Sequence, residues 1–235
     1  DPTVMIGGTL PMLHSGYRVG RGDTIILESC EYCNSFLHFF PTVAVVLNVE
    51  ADHLDFFKDL DDIKQSFRRF AQLTPQDGHI VANADDAGAM DALKGLPLFT
   101  FGCCEGADCQ ARNLTWQHGR PDFDVVAGGE VYTHLSLRVA GLHNVYNALA
   151  AASAAYVLGI PGKAVRQGLE GFFGAGRRFE LKGQYNGARI YDDYAHHPDE
   201  LRALLDMAKS LGYDRVICAF QPHTYTRTKA LFEDF

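Results

Sequence analysis

Two apolar runs near the C-terminal end, GARIY and DRVICAF, each stop at a cluster of side chains that can carry charge or move protons. Asp192, Asp193, His196 and His197 follow the first run, and Gln221, His223 and Arg227 follow the second. In α/β enzymes the strands that feed helices line a crevice along the carboxyl edge of a parallel sheet, and ligands bind there. Both clusters are expected to face such a crevice.

Three more constellations suit phosphate or nucleotide chemistry. Glu28 ends the β-like run DTIILE, and His53 follows the continuously apolar run VAVVLNV, which reads as a central parallel strand. Placed at neighbouring strand ends of one sheet, a carboxylate and an imidazole can share a divalent ion that keeps several waters, which suits Mg²⁺ bridging phosphates. Glu31, Glu50, Asp52 and Asp55 are alternative ligands, and the plainer reading is a capping Glu and a surface His. In GLHNVYNALAA, Asn144 is placed to cap an Ala-rich helix. Asn147 follows on the same face, where its amide matches the donor and acceptor edge of an adenine. In GAGRRFE, Arg177 and Arg178 flank a Gly-rich joint, and a guanidinium fork matches phosphate oxygens. A solvated basic pair is the bland alternative there.

The elements that must position these groups alternate between strand and helix text, which predicts an α/β fold. GHIVANADD reads as a further strand with its turn, and DLDDIKQSFRRFAQL as a helix with acids first and bases last, favourable for its dipole. Short β-like pieces between about Phe99 and Val139 predict an antiparallel insertion or edge hairpin. HNVYNALAAASAAYVLGI is the strongest helix, stopped by Gly159 and Pro161, and GKAVRQGLEGF is another.

Composition narrows the possibilities. With 235 residues, 47% of them hydrophobic, the chain can bury one large core or two smaller ones. A net charge of −8 leaves no broad basic surface for a nucleic acid polymer. No run reaches the roughly 18 to 20 apolar residues of a membrane span, and no signal-peptide pattern opens the chain, so a cytoplasmic setting without membrane insertion is expected. Six cysteines include a lone Cys30-x-x-Cys33 with no second pair, and reduced thiols fit better than a zinc or redox centre. Nothing in the sequence specifies an oligomeric state.

Taken in order, ESCEYCNSFL, NVEADHLDFF, GLHNVYNALAAA, FFGAGRRFELKG, DDYAHHPDE and FQPHTYTRT resemble the Mur ligases of peptidoglycan synthesis. The resemblance implies a central ATP-binding domain over residues 1–178, with a parallel sheet, and the start of a Rossmann-like C-terminal domain over 179–235. It implies ATP-dependent amide ligation through an acyl phosphate, and DDYAHHP with FQPH points to UDP-N-acetylmuramate and L-alanine as the partners. Alternatives are a ligase joining a preformed tripeptide to the same muramate, a non-catalytic nucleotide-binding fragment and, from the His pairs, a metal hydrolase. By similarity, Glu28 and His53 would bind Mg²⁺. Asn144, Asn147, Arg178 and Asp193 would contact ATP, and His196, His223 and Arg227 the muramate substrate, with His196 and Arg178 nearest the reacting centre.

Two departures stand out. The family's G-x-x-G-K-[ST] phosphate loop does not occur here; Gly162-Lys163 is followed by Ala and opens a helix. Thr224 stands where the family usually has Arg after FQPH. The chain therefore reads as a fragment lacking the N-terminal domain and the phosphate loop, with negligible ligase activity expected by itself.

Overall fold

A computed structural model describes residues 1–235. Its first strand, β1 (Thr3–Leu10), pairs antiparallel with β2 (Ser15–Arg18) and parallel with β3 (Ile25–Leu27). These three strands, in the order β2-β1-β3, belong to a compact unit formed by residues 1–29, 173–209 and 213–235. Glu28 folds back on this sheet, its Oε2 accepting the Gly7 N–H at 2.8 Å. A Cβ at Gly7 would lie 2.9 Å from that carboxylate, the far end of a side chain free to shift.

Residues 30–172, with 210–212, form a second unit. Its elements run β4 (Val43–Val46), α1 (Leu60–Gln72), β5 (His79–Asn83), α2 (Ala87–Ala92), β6 (Leu98–Gly102), β7 (Cys109–Gln117), β8 (Arg120–Ala127), β9 (Glu130–Ser136), α3 (Leu142–Val157) and α4 (Gly162–Glu170). One sheet takes all six strands in sequence order, parallel from β4 to β7 and antiparallel from β7 to β9. The expected antiparallel insertion is this three-stranded meander. Asp59 caps α1 by accepting the Asp62 N–H at 2.9 Å, with Asp61 and Asp62 in the first turn and Arg69 in the last.

Alternation along the strands sends side chains to two cores. On one face Val81, Phe101, Phe123, Val125 and Leu135 meet Val145, Ala148, Leu149 and Ala152 of α3; on the other Ile80 and Ala82 meet Ile63 and Ala71 of α1 and Ala89 of α2. Each fully buried Leu, Val or Phe contributes about 1.5–3 kcal/mol of transfer free energy. Parallel strands with helices on both faces make the unit α/β, as expected. VAVVLNV departs from expectation, because β4 pairs only through β5 and forms the edge of the sheet, leaving Val45 37% exposed.

After residue 172 the first unit continues with a hairpin, β10 (Glu180–Tyr185) and β11 (Ala188–Asp192), turned by Asn186-Gly187 at positive φ. Helices α5 (Pro198–Ser210) and α6 (Tyr225–Ala230) follow. DRVICAF is not a strand, and Ile217 is 76% exposed. The parallel-sheet crevice expected behind the two C-terminal clusters is therefore not formed by these runs. The physical reason is local closure: the Asn-Gly turn pairs β11 with its own neighbour antiparallel, and no strand supplies a ladder for residues 216–220. No helix is long and apolar enough to cross a membrane, and all six cysteines are free.

Candidate functional site

Two consecutive aspartates at the end of β5 organise the carboxyl edge of the six-stranded sheet. Asp86 Oδ1 caps α2 by accepting the Ala89 N–H at 2.6 Å and also accepts the Val49 N–H at 3.1 Å, pinning the segment after β4. Asp85 accepts the N–H groups of Cys103 at 2.6 Å and Cys104 at 3.2 Å after β6, and the Tyr146 hydroxyl of α3 at 3.0 Å. Burial pushes the Asp85 carboxyl up, but the hydrogen bonds from Cys104, Cys103 and Tyr146 outweigh it and hold it below the ordinary carboxylate range. The loops after β4, β5 and β6 and the start of α3 are thus tied into one rim.

On that rim His53 has a left-handed backbone (φ 52°) with its N–H donating to Asp52 Oδ1 at 2.7 Å. Its Nε2 lies 3.5 Å from Glu31 Oε1 and 3.9 Å from Asp52 Oδ2. Tyr32 lies against the ring at a tilt of 38°, centroids 4.7 Å apart, and donates its hydroxyl to Asp55 at 3.0 Å. The two carboxylates are hard oxygen donors of the kind Mg²⁺ takes, and the imidazole beside them is a borderline nitrogen donor. Glu28 and His53 were expected after strands of one sheet, and this is corrected: β3 pairs with β1 and β4 with β5, in separate sheets. β3 satisfies its ladder on β1, and Glu31 and Asp52 are the carboxylates beside His53.

The first turn of α3 also differs in detail. Gly141, with φ 94°, occupies the cap position, so Asn144 is inside the helix and not its cap. Its Nδ2 donates to the Ala140 carbonyl at 2.7 Å, and Asn147 Nδ2 reaches Asn144 Oδ1 at 3.4 Å, so the two amides share one face as their spacing predicts. Val145 and Ala148 bury the opposite side, which leaves the Asn147 amide exposed.

In the other unit the Arg pair meets the DDYAHHP segment. Arg177 lies over the Tyr194 ring at 4.6 Å and 3.8 Å from Asp192, while Arg178 Nη1 lies 3.6 Å from Glu200 Oε1. Asp193 accepts the N–H groups of Phe179 at 2.7 Å and Ala195 at 2.8 Å, fastening the Arg joint to the turn. His196 Nδ1 is 2.8 Å from the Tyr194 carbonyl. Since a carbonyl only accepts, that nitrogen carries the proton and Nε2 is the open acceptor of the neutral ring. Thr224 caps α6, and Arg227 Nη1 donates to the His223 carbonyl at 2.9 Å.

Residues 17–155 match the Mur ligase middle domain, and residues 177–235 match the Mur ligase glutamate ligase domain. The chain belongs to the Mur ligase family. Among curated Mur ligases it is 47% identical over 238 residues to UDP-N-acetylmuramate--L-alanine ligase of Caldanaerobacter subterraneus, covering 100% of this chain and 52% of that protein. It is 46% identical to the same ligase of Clostridium novyi, again covering 100% and 52%. The chain spans about half the length of the curated relatives it matches. Among solved structures, UDP-N-acetylmuramate-alanine ligase of Thermotoga maritima superposes with a TM-score of 0.81 at 30% identity, over 98% of this chain and 53% of that one. The ligase for UDP-N-acetylmuramate and L-alanyl-gamma-D-glutamyl-meso-diaminopimelate from Neisseria meningitides gives 0.64 at 28%, over 73% and 57%.

Within this Mur ligase chain, Arg178, Asp193 and His196 are brought together by the backbone of the DDYAHHP turn, and Asn144 and Asn147 lie together on α3. Asp85, Asp86 and Glu200 escape a reading by residue type. The signal for the first two is a pair of Asp directly after an apolar strand with helix-capping spacing. For Glu200 it is the acidic residue in the first turn of α5.

Proposed function

We propose that the protein carrying this chain joins L-alanine to UDP-N-acetylmuramate at the expense of ATP. The observation that carries this reading is the 47% and 46% identity, across the whole chain, to two ligases named for that reaction. In it, the muramate carboxylate attacks the γ-phosphate of ATP, ADP leaves, and the alanine amine attacks the acyl phosphate carbonyl, releasing phosphate. Residues 1–178 would be the central domain and 179–235 the start of the C-terminal one.

The residues fit these tasks. Arg178 can spread phosphoryl charge through its guanidinium N–H groups, and Asp193 holds the turn that carries His196. His196, with Nδ1 committed to the Tyr194 carbonyl, presents Nε2 as an acceptor for a proton from the alanine ammonium. Asn147 offers an exposed carboxamide to an adenine edge, beside Asn144 for the phosphates. His223 and Arg227, joined at the start of α6, are assigned to the muramate. His53, with Glu31 and Asp52 beside it, would hold Mg²⁺, which when bound neutralises phosphate charge.

A second reading, ligation of a preformed tripeptide, draws on the 28% identity to the Neisseria ligase. Phosphate release by the full-length protein, given UDP-N-acetylmuramate, ATP and Mg²⁺, separates the two. Turnover with L-alanine and none with the tripeptide is expected, and none from the 235-residue chain alone. Turnover with the tripeptide only would transfer the assignment to the second reading, and turnover with neither would overturn both.

A further inference from the structure

Glu200 has no part in the chemistry above, yet its carboxylate is where two of the proposed working groups meet. Oε2 accepts the backbone N–H of His196 at 2.8 Å and of His197 at 3.2 Å, and lies 3.5 Å from His196 Nδ1. Oε1 lies 3.6 Å from Arg178 Nη1. One oxygen thus satisfies N–H groups that the start of α5 leaves without helical partners, while the other holds a guanidinium from a different stretch of chain.

The division of labour matters because Arg178 is 58% exposed and its side chain is long. An unrestrained arginine loses much rotamer freedom when it closes on a phosphate, and an ion pair that orders it beforehand lowers that cost. Glu200 engages one edge of the guanidinium, and the fork has five N–H donors, so others stay available to phosphoryl oxygens. Arg177 is turned instead to Asp192 and Tyr194. The His196 ring gains a second restraint: its Nδ1–H faces the Tyr194 carbonyl with the Glu200 carboxylate alongside, which keeps the open Nε2 in a fixed direction.

We propose that Glu200 is a positioning residue of the ligase, fixing Arg178 and His196 in one frame so that phosphoryl charge and the incoming amine meet groups already aligned. This rests on the ligase reading above. The test is a comparison of wild type, E200A, E200Q, R178A and the R178A/E200A double variant of the full-length protein by alanine-dependent phosphate release. Amide hydrogen exchange at His196 and His197 is measured on the same samples.

E200A is expected to lower kcat by about 100-fold, the scale of a misplaced catalytic group, with the KM for L-alanine moved by less than about threefold. The double variant should lose less than the product of the two single losses, because the part of the Glu200 effect that acts through Arg178 is already gone while the part through His196 remains. E200Q, which keeps an oxygen for the N–H groups and loses the charge facing Arg178, should recover part of the rate. Exchange at the two His amides should speed up in E200A while the later turns of α5 stay protected. E200A turning over within about threefold of wild type, or a double variant whose losses multiply, would overturn the proposal. A wild-type protein that releases no phosphate sinks the ligase reading itself, and unchanged exchange in E200A would then sink the role of Glu200 as well.

Discussion

Tyr146 donates its hydroxyl to Asp85 across 3.0 Å, fastening the first turns of α3 to the turn that follows β5. The same carboxylate holds Cys103 and Cys104 by their N–H groups, so one aspartate ties the start of α3, which carries Asn144 and Asn147, to the loops after β5 and β6. The tyrosine hydroxyl is pushed upward by burial first, then by the neighbouring Cys103 and the Asp85 charge. It stays a donor throughout the physiological range.

Removing either partner is predicted to have unequal effects. Tyr146→Phe deletes one hydrogen bond and should cost about 1 kcal/mol. Asp85→Ala strands two backbone N–H groups as well as the hydroxyl and should cost about 2–4 kcal/mol, since unpaired partly buried donors carry a desolvation penalty. Urea unfolding of both variants checks the order. Equal losses would mean that the N–H groups of Cys103 and Cys104 find other partners.

Elements whose signals are local were legible in the sequence. α1 carries acids first and bases last and α3 its Ala-rich run, whereas the Asn-Gly turn that closes β10 on β11 went unread. What escaped is pairing between strands far apart. Ile25–Leu27 and Val43–Val46 are equally apolar, but β3 finds an edge on β1, a Gly-containing strand whose text has little β signal. DRVICAF has strand composition and no ladder. Pairing depends on which edge is present, and composition does not record that. The candidate site divides the same way: Arg178, Asp193 and His196 stand out by type, whereas Asp85, Asp86 and Glu200 act by receiving backbone N–H groups, a role only the folded chain displays.

The meander carries a pH dependence of known sign. His134 on β9 is bracketed by two carboxylates of β8, with Nδ1 2.8 Å from Asp124 and Nε2 3.4 Å from Asp122. Asn113 of β7 donates to Asp124, Ser136 donates to Asp122, and Glu170 of α4, paired with Arg166, accepts the Ser136 N–H. The hydrogen bond to Asp124, followed by the two aspartate charges, raises the His134 pKa above 6.5. A raised folded-state pKa stabilises fully below the unfolded value and ceases to as pH climbs through the folded one. His134→Gln should therefore lower Tm more at about pH 6 than at about pH 9. Equal deficits at both pH values would contradict the bracketed imidazolium.

The glycine of Gly162-Lys163 serves packing, and that separates it from a phosphate loop. A Cβ at Gly162 would sit 2.0 Å from the Tyr132 carbonyl oxygen and 3.3 Å from Thr133 Cβ, because the start of α4 rests directly on β9. Val165 is buried one turn on, and Glu170 at the far end receives the Ser136 N–H at 3.2 Å, so the helix cannot lift away without losing contacts along its length. Gly162→Ala should destabilise the fold by about 1–3 kcal/mol, the usual cost of overpacking. Lys163, by contrast, is exposed, and Lys163→Ala should change stability by less than about 0.5 kcal/mol. Thermal unfolding of the two variants gives the comparison, and binding of a nucleoside triphosphate supplies a second readout. A phosphate loop would lose affinity with the lysine, whereas a packing glycine predicts that only Gly162→Ala has a measurable effect. Loss of nucleotide binding in Lys163→Ala with unchanged stability would return this dipeptide to the phosphate site.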